Sequence, residues 1–227
     1  MSLKHMFTAV ASTYDLINSV LTFGLDEVWR KVCAKKCVHS SFIVDLCCGT
    51  GSLSRHLARL APKAYVIGID FSKAMLKRAK TKVNPHALHT SFILADAARL
   101  PFKDNCLERV CTSFSFRNLL YKNPKAMIYL REILRVLCAG GKFVCIETSQ
   151  PKQRPLRMLY HLYLQKVVPL LGWLISRQKG AYKYLGLSAA NFPEAEKIRT
   201  VLLNVGFRIV LFKRLTFGIV ALHIGVK

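Results

Sequence analysis

The chain has 227 residues, enough for one domain with a sizeable core, and its 52% hydrophobic content excludes a disordered polymer. No run reaches the about 18 to 20 apolar residues needed to span a bilayer, and the N-terminus lacks a secretory leader, so a cytoplasmic protein is expected. A net charge of +23 with only 12 acidic residues fits an anionic partner, nucleic acid or an acidic lipid leaflet, or else a basic composition that serves solubility.

In chain order, residues 1–37 read as two helices broken at "TFGLD". "FIVDLC" (42–47) follows as a buried strand and "SLSRHLARLA" (52–61) as a helix. "AYVIGID" (64–70) is a second strand, and "SKAMLKRAKTKV" (72–83) a helix that Ser72 can cap. "TSFILAD" (90–96) and "LERVCTSFSF" (107–116) are the third and fourth strands. "NPKAMIYLREILRVLCAGG" (123–141) reads as a helix with Pro124 in its first turn and glycines past its end, and "KFVCIETS" (142–149) as the fifth strand. Residues 150–192 form a mostly helical insertion. "FPEAEKIRTVLLNVGF" (192–207) is a helix closed by Gly206, and "RIVLFKRL" with "GIVALHIGVK" makes a terminal antiparallel hairpin. The alternation predicts an α/β fold with a parallel sheet covered on both faces. Ligands of such sheets bind beyond the carboxyl ends of the strands. The segments Cys47–Gly51, Asp70, Asp96 and Phe116–Asn118 are therefore expected to meet at one crevice.

The turn after the first strand carries the chemistry. A glycine turn lets the backbone approach a ligand, and the helix behind it points free N–H groups at a negative group. Asp70, about 20 positions on, can accept hydrogen bonds from a ribose diol. NAD and S-adenosylmethionine both satisfy these features. The dinucleotide pattern G-x-G-x-x-G/A fails, because Gly49-Thr50-Gly51 runs on to Ser52, Leu53 and Ser54, and no GxxxxGK[ST] loop occurs. The spacing Asp45-x-Cys47-x-Gly49-x-Gly51 instead approximates the D/E-x-G-x-G-x-G loop of adenosylmethionine-dependent methyltransferases. Asp96-Ala97 would then set a carboxylate and a backbone N–H beside adenine. The competing reading is that Asp70 and Asp96 only cap the helices that follow them, which is weaker at Asp96 because "AARLPFKDN" does not read as a helix start. None of the eight cysteines forms a CxxC or Cys/His zinc spacing. No metal is expected, and Cys47 and Cys48 read as packing residues in the wall of the site.

The chain resembles the ubiquinone/menaquinone biosynthesis C-methyltransferase family, class I enzymes that methylate polyprenyl quinol rings. "FTAVASTYDLINSVLTFGLDEVWR", "VDLCCGTGSL", "LPFKDNCLERVCTSFSFRNL", "LRVLCAGGKFVCIETSQP", "YKYLGLSAANFP" and "GIVALHIGVK" carry the resemblance nearly end to end. Ser115 stands for a glycine, Leu107-Glu108 for Phe-Asp and Cys138-Ala139 for Lys-Pro. The resemblance implies a Rossmann-like class I methyltransferase in a single domain, 1–227. Its sheet has seven mostly parallel strands with the last antiparallel, a helical N-terminal cap (1–40), and a helical lid (150–192) before the last two strands. It also implies adenosylmethionine contacts at Thr50, Asp70, Asp96, Ala97 and Ser113.

Methylation of a quinol carbon needs its phenol ionised, so a base or a phenolate stabiliser must be present. Arg117 and Asn118 follow the fourth strand; Arg117 can stabilise phenolate or polarise a water but cannot act as a base, and Asn118 can orient the hydroxyl. Tyr14 and Asp15 can cover the pocket, and His161 and His223 are spare bases. Segment 148–193 holds no Asp or Glu but carries Lys152, Arg154, Arg157, Lys166, Arg177, Lys179 and Lys183 among apolar and aromatic residues. That composition suits a peripheral contact with an anionic membrane surface while a polyprenyl quinol enters, or else apolar faces that pack on the sheet. No nucleic acid partner is expected, and a homodimer is open. The alternatives are a class I methyltransferase acting on RNA or another small molecule, and a noncatalytic protein that binds adenosylmethionine or nucleic acid.

Overall fold

The computed structural model describes residues 3–83 and 89–227, with the side chains of Lys4 and Lys179 outside the described set. Seven strands, β1 (Phe42–Leu46), β2 (Tyr65–Asp70), β3 (Thr90–Leu94), β4 (Leu107–Ser113), β5 (Leu137–Thr148), β6 (Ile209–Leu215) and β7 (Val220–Val226), form one sheet in the order β3-β2-β1-β4-β5-β7-β6. β1 to β5 pair in parallel, and β7 runs antiparallel to both β5 and β6. The order reverses at β1 and β4, so the crevice between their carboxyl ends is the switch point where ligands bind.

The helices are α1 (Leu3–Val10), α2 (Tyr14–Thr22), α3 (Leu25–Lys35), α4 (Ser52–Leu60), α5 (Lys73–Lys82), α6 (Phe116–Leu120), α7 (Ala126–Val136), α8 (Arg154–Leu162), α9 (Val168–Ser176), α10 (Lys179–Ala190) and α11 (Ala195–Val205). Two apolar clusters cover the sheet. One joins β-strand residues such as Val44 and Phe143 to α6, α7 and α11; the other joins Ile43 and Val144 to α3 and α4. A third cluster lies away from the sheet: Met6, Ile17 and Leu21 of the N-terminal helices pack on Tyr160, Leu164, Val168 and Tyr182 of the insertion. The insertion's buried faces are therefore turned to the cap.

Several expected boundaries move, for local reasons. Residues 1–37 hold three helices, with breaks at Ala11–Thr13 and at Phe23, whose φ is +53°. The helix expected to reach residue 141 stops at Val136, and β5 begins at Leu137. Its pairing jumps from Leu107↔Leu137 to Arg109↔Lys142, so "CAGG" is a bulge in a strand. A Cβ on Gly141 would stand 2.8 Å from the Cys138 carbonyl oxygen, which explains a glycine inside that bulge. β4 ends at Ser113 because Phe114 takes φ +55° and turns the chain into α6.

The lid is held by close backbone approach. A methyl at Gly186 of α10 would meet the Leu164 carbonyl oxygen, and one at Gly172 of α9 would meet the Tyr182 ring. Gly186→Ala should therefore cost about 1 to 3 kcal/mol, the usual penalty of overpacking. A lowered denaturation midpoint is the expected reading; an unchanged midpoint would show that α10 does not press on this segment.

Candidate active site

Three residues of the loop after β1 are left-handed: Cys47 (φ +55°), Gly49 (+55°) and Gly51 (+76°). The two glycines serve different ends. A Cβ on Gly49 would meet nothing within 4 Å, so that face is open to ligand. A Cβ on Gly51 would press on Ala79 at 3.0 Å, so Gly51 lets the loop pack against α5. The loop borders a cavity of about 580 Å³, within the usual range for a small-molecule site.

The cavity wall brings together Gly49, Thr50, Asp70, Asp96, Ala97, Ser113, Asn118 and Tyr14, with Cys47 and Cys48 between them. Three expected site residues do not line it. Gly51 is behind the loop, Asp45 is buried beneath it, and Arg117 borders a second cavity instead. Asp45 accepts a hydrogen bond from Ser54 Oγ at 2.6 Å, which fastens β1 to α4, and burial raises its pKa to about 7. Its other carboxyl oxygen has no partner.

Asp70 is held from both sides. Its Oδ2 accepts the Gly49 N–H at 2.9 Å and its Oδ1 the Ser72 N–H at 2.8 Å, and burial pushes its carboxyl up. Asp96 is exposed at the opposite end and accepts the Ala98 N–H at 2.9 Å. Both carboxylates thus make the turn contacts of a capping residue while also facing the cavity. Each oxygen keeps a lone pair for a ligand hydroxyl. Burial pushes the Cys47 and Cys48 thiols well up, so they stay neutral wall groups.

Thr50 does more than expected. Its hydroxyl donates to Asp15 Oδ1 at 2.6 Å and accepts from Lys82 Nζ at 3.0 Å, and the same ammonium reaches Ser52 Oγ at 2.9 Å and Asp15 Oδ2. Burial pushes the Asp15 carboxyl up, but Lys82 and Thr50 outweigh it and hold the group below its ordinary range. Asp15 is therefore the clamp of α2 on the cofactor loop, and its neighbour Tyr14 is the residue that roofs the cavity. Lys82 had no sequence signal, being one of several basic residues on α5. Burial raises the Tyr14 hydroxyl, which stays protonated at neutral pH and so keeps an O–H to donate.

Arg117 and Asn118 sit in the first turn of α6, buried to 3% and 8% exposure, so they are wall residues and not residues of an open mouth. Glu147 anchors them: its Oε2 accepts the Arg117 backbone N–H at 2.9 Å and its Oε1 lies 3.8 Å from Arg117 Nε. Arg117 Nη1 donates to Ser188, and Tyr184 donates to Asn118 Oδ1 at 3.4 Å. These bonds anchor the turn, and Arg117 also lines a second cavity of about 350 Å³. That cavity is apolar, walled by Leu21, Phe23, Trp29, Phe114, Leu156 and Tyr160 among others. It shares Tyr14 and Arg30 with the first cavity. Neither His161, bonded to Gln150, nor His223, whose pKa burial lowers to about 4, borders these cavities. Among the described residues, no group of three or more His, Cys, Asp or Glu is placed to hold a metal.

S-adenosylmethionine fits the first cavity on the chemistry of its donors. The ribose diol and the cationic sulfonium and ammonium call for acceptors and negative charge, which Asp70 and Asp96 supply, while the open face of Gly49 leaves room for close backbone approach.

The comparisons agree. The demethylmenaquinone methyltransferase of Thermus thermophilus is 39% identical over 97% of this chain and 99% of its own length. The ubiquinone/menaquinone biosynthesis C-methyltransferase UbiE of Geobacter sulfurreducens is 35% identical over 99% and 88%. A SAM-dependent methyltransferase of Thermotoga maritima shares the fold with a TM-score of 0.70 at 16% identity, covering 99% of this chain and 100% of that one. The model of the ubiE/COQ5 methyltransferase family matches residues 1–227, and with a cavity built for adenosylmethionine the chain belongs to that family as a SAM-dependent methyltransferase.

Proposed function

We propose that the chain methylates a ring carbon of a polyprenyl quinol in menaquinone biosynthesis, converting demethylmenaquinol to menaquinol, with a benzoquinol as the second candidate acceptor. The observation that carries this is the apolar cavity, which meets the cofactor cavity at Tyr14 and Arg30. A flat ring with an isoprenoid tail fits apolar walls with a few polar groups at the inner end. The names of the relatives support the same reading.

The bound cofactor supplies a methyl group already activated on a sulfonium. The chain's own residues position and polarise. Asp70 would accept from the ribose, Asp96 and Ala97 would hold the adenine end, and Gly49, Thr50 and Ser113 would border the methionine arm. Asp45 and Gly51 act from behind, by fixing the loop. Tyr14 would donate to an acceptor oxygen, and Asn118 would orient the acceptor hydroxyl. Arg117, clamped by Glu147 and Ser188, keeps a fixed positive charge on the apolar cavity. One catalytic domain, with the N-terminal cap and the 150–192 lid closing over the sheet, would exclude water from the transfer.

The lid would also bring the enzyme to the tail. No helix among the described residues is long and apolar enough to cross a membrane. Met158, Leu159 and Leu162 of α8, Leu170, Trp173 and Leu174 of α9, and Phe23 are nevertheless exposed, and Phe23 and Leu159 also line the apolar cavity. An apolar rim on an acid-free basic segment suits the cytoplasmic face of an anionic bilayer. A second copy is the other occupant this rim would accept.

Methyl transfer from labelled cofactor should go to reduced demethylmenaquinol and not to bulk RNA; label in RNA, or in neither, would overturn the quinol reading in favour of an RNA or a noncatalytic role. Vesicles with anionic lipid should retain the protein at low salt and release it as salt rises, given about 1 kcal/mol per basic residue near the surface. Sedimentation as a dimer with no vesicle binding would assign the rim to self-association. Asp70→Ala should weaken cofactor binding by about 1.5 to 3 kcal/mol, the worth of hydrogen bonds to a charged acceptor. The wild-type pH dependence has a defined sign. The accepting form is the carboxylate, so affinity is full at neutral pH and falls on acidification, from a higher pH than for an ordinary carboxylate because burial raises this one. Calorimetry reads both; unchanged affinity in Asp70→Ala would remove the ribose assignment.

A further inference from the structure

Of the residues lining the two large cavities, Tyr14 and Arg30 are common to both, and Arg30 is the one that carries a charge. A methyl passing from a cofactor in the first cavity to an acceptor in the second must cross beside these two side chains. Arg30 lies on α3 at 5% exposure, and its Nη1 donates to Asp26 one turn earlier. Asp26, also 5% exposed, is fixed in turn by the Thr22 hydroxyl at 3.0 Å. The guanidinium carbon stands 5.3 Å above the Phe114 ring. Phe114 holds φ +55°, and its N–H is bonded to the Ile146 carbonyl at 2.9 Å, so strained backbone delivers that ring. Among the described contacts, Asp26 is the sole hydrogen-bond acceptor of the Arg30 guanidinium, which leaves N–H groups to offer the cavities. Arg117 differs: it does not border the cofactor cavity, its Nη1 donates to Ser188, and its Nε lies 3.8 Å from Glu147.

We propose that Arg30 is a catalytic residue that stabilises the oxyanion of the acceptor as the methyl is transferred, with Asp26 as its positioning residue. This rests on the quinol reading above. In the step, the acceptor O–H breaks and its proton passes to water. The ring carbon forms a bond to the methyl as the C–S bond breaks with its electron pair staying on sulfur, which cancels the phenolate and sulfonium charges together. The ring C–H proton then leaves to solvent to restore aromaticity and the ring oxygen takes a proton back, so one proton is released overall. Negative charge stands on the ring oxygen once its O–H has ionised and again as the C–H proton leaves, and a guanidinium remains cationic at every pH at which the enzyme works. Asp26 neutralises the pair, which lets the guanidinium sit beside a cationic cofactor at small electrostatic cost. The other titratable groups that feel Arg30 are Tyr14 and Asp15 of α2, Asp45 of β1, His56 of α4 and Lys82 of α5. Arg117 of α6 faces the same tyrosine.

The test is kcat against pH for wild type, Arg30→Gln and Arg30→Lys, with chemically reduced short-tail demethylmenaquinol under anaerobic conditions. Arg30→Gln should lose about 100-fold in kcat near neutral pH, as expected for one oxyanion donor. The loss should shrink as pH rises and the hydroxyl ionises unaided. It should also be smaller for a quinol carrying an electron-withdrawing substituent, cofactor Kd should be unchanged, and Arg30→Lys should recover part of the rate. An equal loss at all pH values and for both acceptors, or a loss confined to cofactor Kd, would overturn the assignment and leave Arg30 a structural cation. If Arg30→Gln fails to fold because Asp26 is left unpaired, the double variant Arg30→Gln/Asp26→Asn removes both charges and carries the same comparison. A wild-type enzyme that does not methylate the quinol overturns the functional reading and this role with it; a wild-type enzyme that does, beside a variant with a parallel pH profile, overturns this role alone.

Discussion

The Asp70 carboxylate joins the ends of two neighbouring parallel strands. β1 and β2 each stop at the crevice with a turn whose first N–H groups have no ladder partner. The carboxylate accepts one from Gly49 and one from Ser72. Leaving those donors buried and unpaired would cost about 1 to 3 kcal/mol each. The left-handed run from Cys47 to Gly51 persists because this acceptor, the Asp45–Ser54 bond and the close seat of Gly51 on Ala79 over-determine it. Burial raises the Asp70 carboxyl, and the Gly49 and Ser72 N–H groups oppose that shift.

From that loop the order spreads outward by one more polar link. Thr50 and Ser52 share Lys82 with Asp15, so the N-terminal helices are latched to the cofactor loop. The same helices bury Ile17 and Leu21 against Tyr160, Leu164 and Tyr182 of the insertion. Loop, N-terminal helices and insertion are thereby in continuous contact, by polar links at the loop and by apolar packing at the insertion. Tyr14 sits next to Asp15 in that chain, borders both large cavities, and is the residue through which a filled cofactor site would be felt by the acceptor site.

Much of the sheet and of the loop was legible because those signals are local. A run such as "FIVDL" buries on both faces, a glycine turn follows it, and an acid ends the next strand. The features that escaped are those that depend on distant partners. The Asp15–Lys82 clamp joins positions far apart in sequence, and Lys82 looks like its basic neighbours until α2 is seen to lie on it. Glu147 ends β5 as an ordinary strand acid, yet it is the acceptor that fixes α6. The bulge at "CAGG" reads as a helix stop because glycine marks both, and the Leu107 to Arg109 register shift decides between them. Asp45 and Gly51 belong to the loop motif but act behind the wall, a distinction of depth that spacing does not carry.

The charges are also divided in a way that net charge conceals. A chain with 35 basic and 12 acidic residues places Asp70 and Asp96 on the cofactor cavity, where a diol and cationic groups must be met. Arg117 and Asp26 border the apolar cavity, and Arg30 borders both. Each guanidinium is paired with a buried carboxylate, Asp26 or Glu147, so neither site holds an uncompensated buried charge. The carboxylates offer acceptors to a cationic donor, and the guanidiniums offer N–H groups to an ionised acceptor oxygen, whose charge is cancelled together with that of the sulfonium when the methyl moves. For a transfer whose donor is already activated, groups fixed in this way are the contribution a protein can make.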